Sequence, residues 1–232
     1  MPKTIQDLQR FNLPPEVRLS QGDMYCDDHP LTVDEFYELI DEDSNAELVN
    51  GVIIMPSPAS LPHEELFMFL AAALRTYVEA MGLGIVLGSR TAVRIDRHSA
   101  REPDVLFVRK SRRHIVRKQE IVGAPDLVVE IVSPGDCKIE IITKQAQYET
   151  IGVPELWLLD LRHERATILR LNRQRRYDVF FTGASGLIEP MSVPGFTVKV
   201  EWFWRESGAR PNPLALVNSL VKKAKRKNAK KG

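Results

Sequence analysis

One short stretch limits what this chain can fold into: Pro125-Asp126-Leu127-Val128-Val129-Glu130-Ile131-Val132-Ser133-Pro134. A nearly continuous Val, Leu and Ile run of this length predicts a strand buried on both faces of a sheet. Side chains alternate along a strand, so Val128, Glu130 and Val132 share one face. A lone ionised carboxylate buried there is costly, so Glu130 must be paired, protonated or bound to a metal, unless that face is wet. What the rest of the chain offers to meet Glu130 therefore bears on both fold and function.

The chain has 232 residues, of which 44% are hydrophobic and 27% charged, enough to bury a substantial core in one large domain or two small ones. No apolar run approaches the roughly 18 residues of a membrane span. Met1 to Arg10 lacks the apolar core of a secretory signal. The only cysteines, Cys26 and Cys137, are far apart, which argues against a disulfide scaffold and fits a reducing cytoplasm.

The order of elements predicts a mixed α/β domain over 31–208, with a β-rich C-terminal half, between an irregular arm (1–30) and a basic tail (209–232). Thr32 with Glu35 forms a capping box for a helix running to about Asp41. Two apolar runs about Asn50-Gly51 form a hairpin. After Pro56, Pro58 and Pro62, residues 63–81 show helical periodicity and end at Gly82 and Gly84. Strands are expected over 85–95, 103–108, 155–160, 166–171, 177–182 and 196–204, and a helix over 138–151, ended by Gly152. Trp202, Phe203 and Trp204 belong in the core, although they could instead support a homodimer.

Four places could supply a partner for Glu130. Asp104 opens a strand whose spacing allows it to lie beside the Glu130 strand. Two acids on adjacent strands make a hard-oxygen site for Mg²⁺ or Mn²⁺, although a Pro-Asp pair is more often a turn or strand terminus. Glu140, Lys144 and Tyr148 are spaced i, i+4, i+8 and share one helix face. Lys144 could reach the acids, or could belong to an ordinary exposed Glu-Lys pair. His63 opens the long helix and could face the site or simply sit at the surface. Glu47 starts the hairpin among apolar residues and could support the site or be an edge-strand acid.

The net charge of +1 hides an asymmetry: Lys222, Lys223, Lys225, Arg226, Lys227, Lys230 and Lys231 are all basic, leaving the rest of the chain near −6. Such a tail could touch nucleic-acid phosphates but is more commonly solvated and disordered. Six of the ten residues from Arg109 to Lys118 are also Lys or Arg. That run, with Arg109, Lys110, Arg112 and Arg113, could cradle a nucleic-acid backbone or be a solvated loop.

Taken together, several motifs resemble the Uma-two family of restriction-endonuclease-like proteins, within the PD-(D/E)XK nuclease superfamily. They are Glu47-Leu48-Val49-Asn50-Gly51, His63, Glu102-Pro103-Asp104-Val105, the 123–134 block, Lys144, Tyr148 and Gly152-Val153-Pro154-Glu155-Leu156-Trp157-Leu158-Leu159-Asp160. The resemblance covers roughly residues 31 to 204, in order. It implies a restriction-endonuclease-like mixed sheet flanked by helices, and a metal-dependent centre that hydrolyses phosphodiester bonds. Asp104 and Glu130 take the positions of its two acids and would hold Mg²⁺ or Mn²⁺. The superfamily's usual Lys, two residues after the second acid, is replaced here by Val132. The Uma-two pattern draws its Lys from the following helix, where Lys144 matches. Cys137-Lys138-Ile139-Glu140 stands where an Arg and then an Asp often occur, so Glu140 is a longer-armed supporting acid.

The reading is a metal-dependent nuclease acting on nucleic acid, DNA before RNA. Asp104, Glu130 and Lys144 are its catalytic residues; Glu47, His63, Glu140 and Tyr148 support them. The alternatives are a nuclease-fold protein that binds nucleic acid or a protein partner without cleaving, and a hydrolase of another phosphoester.

Overall fold

In the computed structural model the Glu130 strand lies at the centre of a six-stranded sheet; residues 23–24, 30–40, 46–55, 58–132 and 138–229 are described. The elements run β1 (Asp23–Met24), α1 (Val33–Leu39), β2 (Glu47–Val49), β3 (Val52–Ile54), α2 (Leu61–Met81), β4 (Gly84–Gly88), β5 (Ala92–Arg94), β6 (Ala100–Arg101) and β7 (Val105–Arg109). A 3₁₀ turn (Lys110–Ile115) leads to β8 (Glu120–Val122) and β9 (Leu127–Val132). The chain continues through α3 (Lys138–Ile151), β10 (Glu155–Asp160), β11 (Arg165–Leu171), β12 (Tyr177–Gly183), β13 (Leu187–Ile188), β14 (Val198–Lys199) and α4 (Pro213–Ala229).

The central sheet has the order β12-β11-β10-β9-β7-β4. β9 pairs antiparallel with β7 and parallel with β10. A parallel pair needs a crossover, and α3 supplies it. Every residue of β9 is buried, as its composition predicts, and the period-two alternation sorts them. Leu127, Val129 and Ile131 join one core with α2, α4 and the strand residues Val105, Phe107 and Trp157. Val128 joins a second core beneath α3, with Leu106, Tyr148, Leu156, Val93 and Ile121. Glu130 therefore belongs to the α3 side of the sheet.

The expected single sheet is divided: among the described residues there are two six-stranded sheets and a two-stranded one, β13-β14. The smaller of the six-stranded sheets, ordered β1-β3-β2-β6-β5-β8, carries the Asn50-Gly51 hairpin. Asn50 and Gly51 both have positive φ, 51° and 80°, as a two-residue hairpin turn requires. The strand expected over 85–95 divides at 89–91 into β4 and β5, which enter different sheets. The Thr32–Glu35 capping box forms as expected.

Three further expectations change. The arm 1–30 is not irregular throughout, because Asp23–Met24 pairs with Ile53–Ile54; most of the arm, including Cys26, lies outside the described residues. The strand expected over 196–204 reduces to Val198–Lys199 and a 3₁₀ turn at Val200–Trp202. Phe203 is buried, with Trp204 against it edge to face at 5.8 Å, and Trp202 and Trp204 pack on the larger core. The described part of the basic tail is no disordered appendage. It forms helix α4, whose Val217 and Leu220 are 1% and 4% exposed in the larger core, while Lys222, Lys223, Lys225, Arg226 and Lys227 stay exposed. The apolar stripe at 216, 217, 220 and 221 is a helical pattern that the lysine count obscured. Lys230 and Lys231, like Pro56, lie outside the described residues. No helix among the described residues is long and apolar enough to cross a membrane.

If α4 is part of the fold, Leu220→Ala should cost about 2–5 kcal/mol, as for other buried leucines. Lys223→Ala should stay within about 0.5 kcal/mol. Urea midpoints of the two variants read the difference directly.

Candidate active site

β7 and β9 bring the two expected acids together. Their register pairs Val105 with Val129, which sets Asp104, just before β7, beside Glu130 and Ile131. Asp104 Oδ2 accepts the Ile131 N–H at 2.6 Å, so the neighbouring strand fixes its carboxylate. Asp104 Oδ1 lies 3.2 Å from His63 Nε2. His63 sits in the first turn of α2, where its N–H donates to the capping Ser60 Oγ at 3.4 Å. Burial works against protonation of His63, but the Asp104 carboxylate and then Glu64 outweigh it and raise its pKa.

Glu130 is held from α3. Tyr148 donates its hydroxyl to Oε1 at 2.6 Å, and Lys144 Nζ donates to Oε2 at 3.0 Å. The i, i+4 spacing places both groups on the helix face that covers the sheet. Burial, followed by the charges of Asp104 and Glu47, pushes the Glu130 carboxyl up to about 7 despite Lys144. Burial works against the charge on Lys144, but Glu130 and Glu47 hold its pKa well above the usual lysine range. Lys144 thus stays an ammonium.

Glu47 completes the group from the smaller sheet. Its Oε1 accepts the Glu102 N–H at 2.9 Å and lies 3.7 Å from Lys144 Nζ. Its Oε2 accepts from Arg101 Nη1 at 2.8 Å. Burial opposes ionisation of Glu47, but Lys144 and Arg101 prevail and lower its pKa. Arg101 is fully buried and also donates to Glu140 Oε1 at 2.6 Å and to Gln147 Oε1 at 2.7 Å. It pins the face of α3 that presents Lys144 to the hairpin that presents Glu47.

The catalytic and supporting residues read from the sequence therefore converge on one cluster, with Glu140 acting through Arg101. Sequence reasoning missed Arg101, Gln147 and Glu102. The available hint was Glu47: an acid among apolar residues needs a cation, and Arg101 is one. Glu102 has a buried Oε2 without a hydrogen-bond partner, and burial and then Glu47 push its carboxyl up to about 7.

The basic run is not brought to this cluster. Arg109 ends β7, five residues from Asp104 and so about 17 Å along the strand. Arg109 and Arg112 are engaged by the buried Asp126, with nitrogens 3.1 and 3.0 Å from Oδ1, and Arg112 also donates to the Ala124 carbonyl at 2.7 Å. Lys110 and Arg113 are exposed. Cys137 lies outside the described residues, as do Ser133 and Pro134.

The donor set fits Mg²⁺ or Mn²⁺. Asp104 and Glu130 supply hard oxygens; burial first, then the charges of Asp104 and Glu47, raise the Glu130 carboxyl, and a cation held there would favour its ionised form. Among the described residues no group of three His, Cys, Asp or Glu side chains is arranged to hold a metal.

Comparison with known proteins agrees with this architecture. A family model described as "Uma2: Putative restriction endonuclease" matches residues 33–201. A crystal structure of "a putative nuclease belonging to DUF820" from Anabaena variabilis ATCC 29413 superposes with a TM-score of 0.63 at 19% identity, covering 75% of this chain and 98% of that one. At that identity the likeness concerns the fold. No curated protein matches the chain.

Two outcomes follow from the charge network. Arg101→Met should destabilise the protein by about 3–5 kcal/mol in denaturant titrations, because it strands buried Glu47. In the folded state Glu102 keeps its proton up to about 7, whereas the unfolded chain releases it near the ordinary 4.5. Its contribution is therefore complete below that pH and is lost as pH rises through about 7. Glu102→Gln should accordingly gain stability relative to wild type between about pH 5 and pH 8.

Proposed function

The chain belongs to the Uma2 family of restriction-endonuclease-like proteins, and on that premise we propose that it is a metal-dependent nuclease that hydrolyses phosphodiester bonds in nucleic acid, DNA first. The observation that carries this reading is the pairing of Asp104 with Glu130 across β7 and β9, with the Lys144 ammonium 3.0 Å from Glu130. Asp104 and Glu130 would hold Mg²⁺ or Mn²⁺, which when bound supplies a water of lowered pKa and charge neutralisation at the scissile phosphate.

The chain's own groups have separate tasks. The Ile131 N–H and His63 fix the Asp104 carboxylate. Tyr148 fixes the rotamer of Glu130, and Arg101 holds Glu47 so that it faces Lys144. Lys144 remains protonated, so it serves as a hydrogen-bond donor and a charge and does not remove a proton. It orients the attacking water or stabilises the negative charge that develops on the phosphoryl oxygens. Burial pushes the Glu130 carboxyl up to about 7, so a cation held there would compete with its proton, and metal affinity should rise with pH through that value.

Supercoiled and linear DNA, and RNA of equal length, should be cut in Mn²⁺ or Mg²⁺ and left intact in EDTA. Asp104→Ala and Glu130→Ala should abolish cutting and the calorimetric Mn²⁺ signal. Lys144→Ala should retain metal binding and lose about 10²–10³-fold in kcat, as when one preorganised donor is removed. Retarded DNA with no cleavage and no Mn²⁺ signal would instead identify a binding protein built on the nuclease fold.

A further inference from the structure

Two basic segments far apart in sequence share one end of the molecule, remote from the acidic cluster. Helix α2 measures the separation. His63 in its first turn touches Asp104, while Gly82 and Leu83 follow its last turn. Nineteen residues of helix between His63 and Gly82 span about 28 Å. β7 leads the same way, from Asp104 to Arg109, over about 17 Å.

Helix α4 runs alongside α2 in the same direction. Just before α4, Arg210 Nη1 lies 3.7 Å from Glu65 Oε2 in the second turn of α2. Fourteen residues later, Ala224 Cβ lies 3.6 Å from where a Cβ on Gly195 would be, and the neighbouring Pro194 carbonyl accepts the Tyr77 hydroxyl of α2 at 2.9 Å. The exposed Lys225, Arg226 and Lys227 therefore come level with the last turn of α2.

Beside the basic 3₁₀ turn, at the end of α2, lies a pocket of about 630 Å³ whose lining includes Gly82, Arg109, Lys110, Ser192 and Pro194. Ser192 is 6% exposed, and its hydroxyl has no hydrogen-bond partner. The acids that border this end are engaged: Glu79 by Arg75 at 2.8 Å, and Glu189 by the Gly195 N–H at 2.9 Å.

We infer that this face, formed by Lys110 and Arg113 on one side and Lys222, Lys223, Lys225, Arg226 and Lys227 of α4 on the other, binds the phosphate backbone of a nucleic acid whose other end lies at the acidic cluster. It rests on the nuclease reading only for what occupies the acidic cluster. Charge complementarity selects a polyanion, and the spacing selects a long one. A gap of about 17–28 Å corresponds to five to eight phosphates along one strand, at about 3.4 Å each. The body of the chain is net negative, so α4 and the 3₁₀ turn concentrate the positive charge on which a backbone would settle.

The test is the salt dependence of binding, measured by fluorescence anisotropy in Ca²⁺ with labelled duplexes of about 6 and about 30 base pairs. The α4 variant carries Lys222→Gln, Lys223→Gln, Lys225→Gln, Arg226→Gln and Lys227→Gln; a second carries Lys110→Gln and Arg113→Gln. On the long duplex, the log–log salt slope should fall in magnitude by about 4 for the first and about 2 for the second, near 0.9 per lost contact. On the short duplex, which spans about 20 Å and cannot cover the acidic cluster and the whole of this face together, both variants should lose less than on the long one. Unchanged slopes in both variants overturn the inference. So does an equal loss on short and long duplexes, or lost binding to poly-glutamate or phosphatidylserine vesicles with duplex binding intact. The same titration on Glu130→Ala separates the two readings: a retained α4 dependence keeps the face even if no cleavage is ever seen.

Discussion

Burying Glu130 at the centre of the main sheet is the condition to which the rest of the molecule answers. A carboxylate in the middle of a six-residue buried strand cannot remain without partners, and each of its oxygens has one, from Tyr148 and Lys144. Those partners bring their own demands. Lys144 is also buried enough that burial favours its neutral form, and Glu47 joins Glu130 in keeping it charged. Glu47 in turn needs Arg101, and Arg101 takes up Glu140 and Gln147. A chain of compensating charges thus runs from the central sheet, through α3, to the hairpin of the smaller sheet.

The same chain of charges fixes geometry. Breaking any one link leaves an uncompensated buried charge, which costs far more than an exposed ion pair of the same length contributes. This is why α3 docks with Lys144 and Tyr148 facing the strand and cannot turn by one residue to present Thr143 and Gln147 there. Stability is not the only return on such a network, because replacing it with apolar packing is often neutral or better. In this chain the network keeps two carboxylates close together on neighbouring strands, with a charged lysine beside one of them.

Much of this was legible in the sequence because it is local or periodic. The β9 strand, the Thr32–Glu35 capping box, the Asn50-Gly51 hairpin and the α3 face of Glu140, Lys144 and Tyr148 each rest on spacing within a few residues. The approach of Asp104 to Glu130 was readable only as a permitted pairing until the β7–β9 register fixed it. Arg101 was not legible, because its three acceptors come from two elements 39 to 54 residues away and no local pattern distinguishes it from a surface arginine. Helix α4 was missed for the opposite reason. Its lysines are conspicuous, whereas the four apolar residues that dock it are unremarkable in composition and informative only in their spacing.

Placing the lysine on a helix is consistent with the way this sheet is packed. Val132 follows Glu130 by two residues on the same face and is 8% exposed, so a lysine there would start from a position already buried. A lysine on α3 approaches from outside the sheet, with its stem along the helix surface and its ammonium directed inward. Nζ then reaches both Glu130, at 3.0 Å, and Glu47, at 3.7 Å. The arrangement makes the position of the ammonium depend on how α3 docks, and Arg101 fixes that docking through Glu140 and Gln147, one turn either side of Lys144. The residue that sequence patterns identify least readily is therefore the one on which the placement of the recognisable lysine depends.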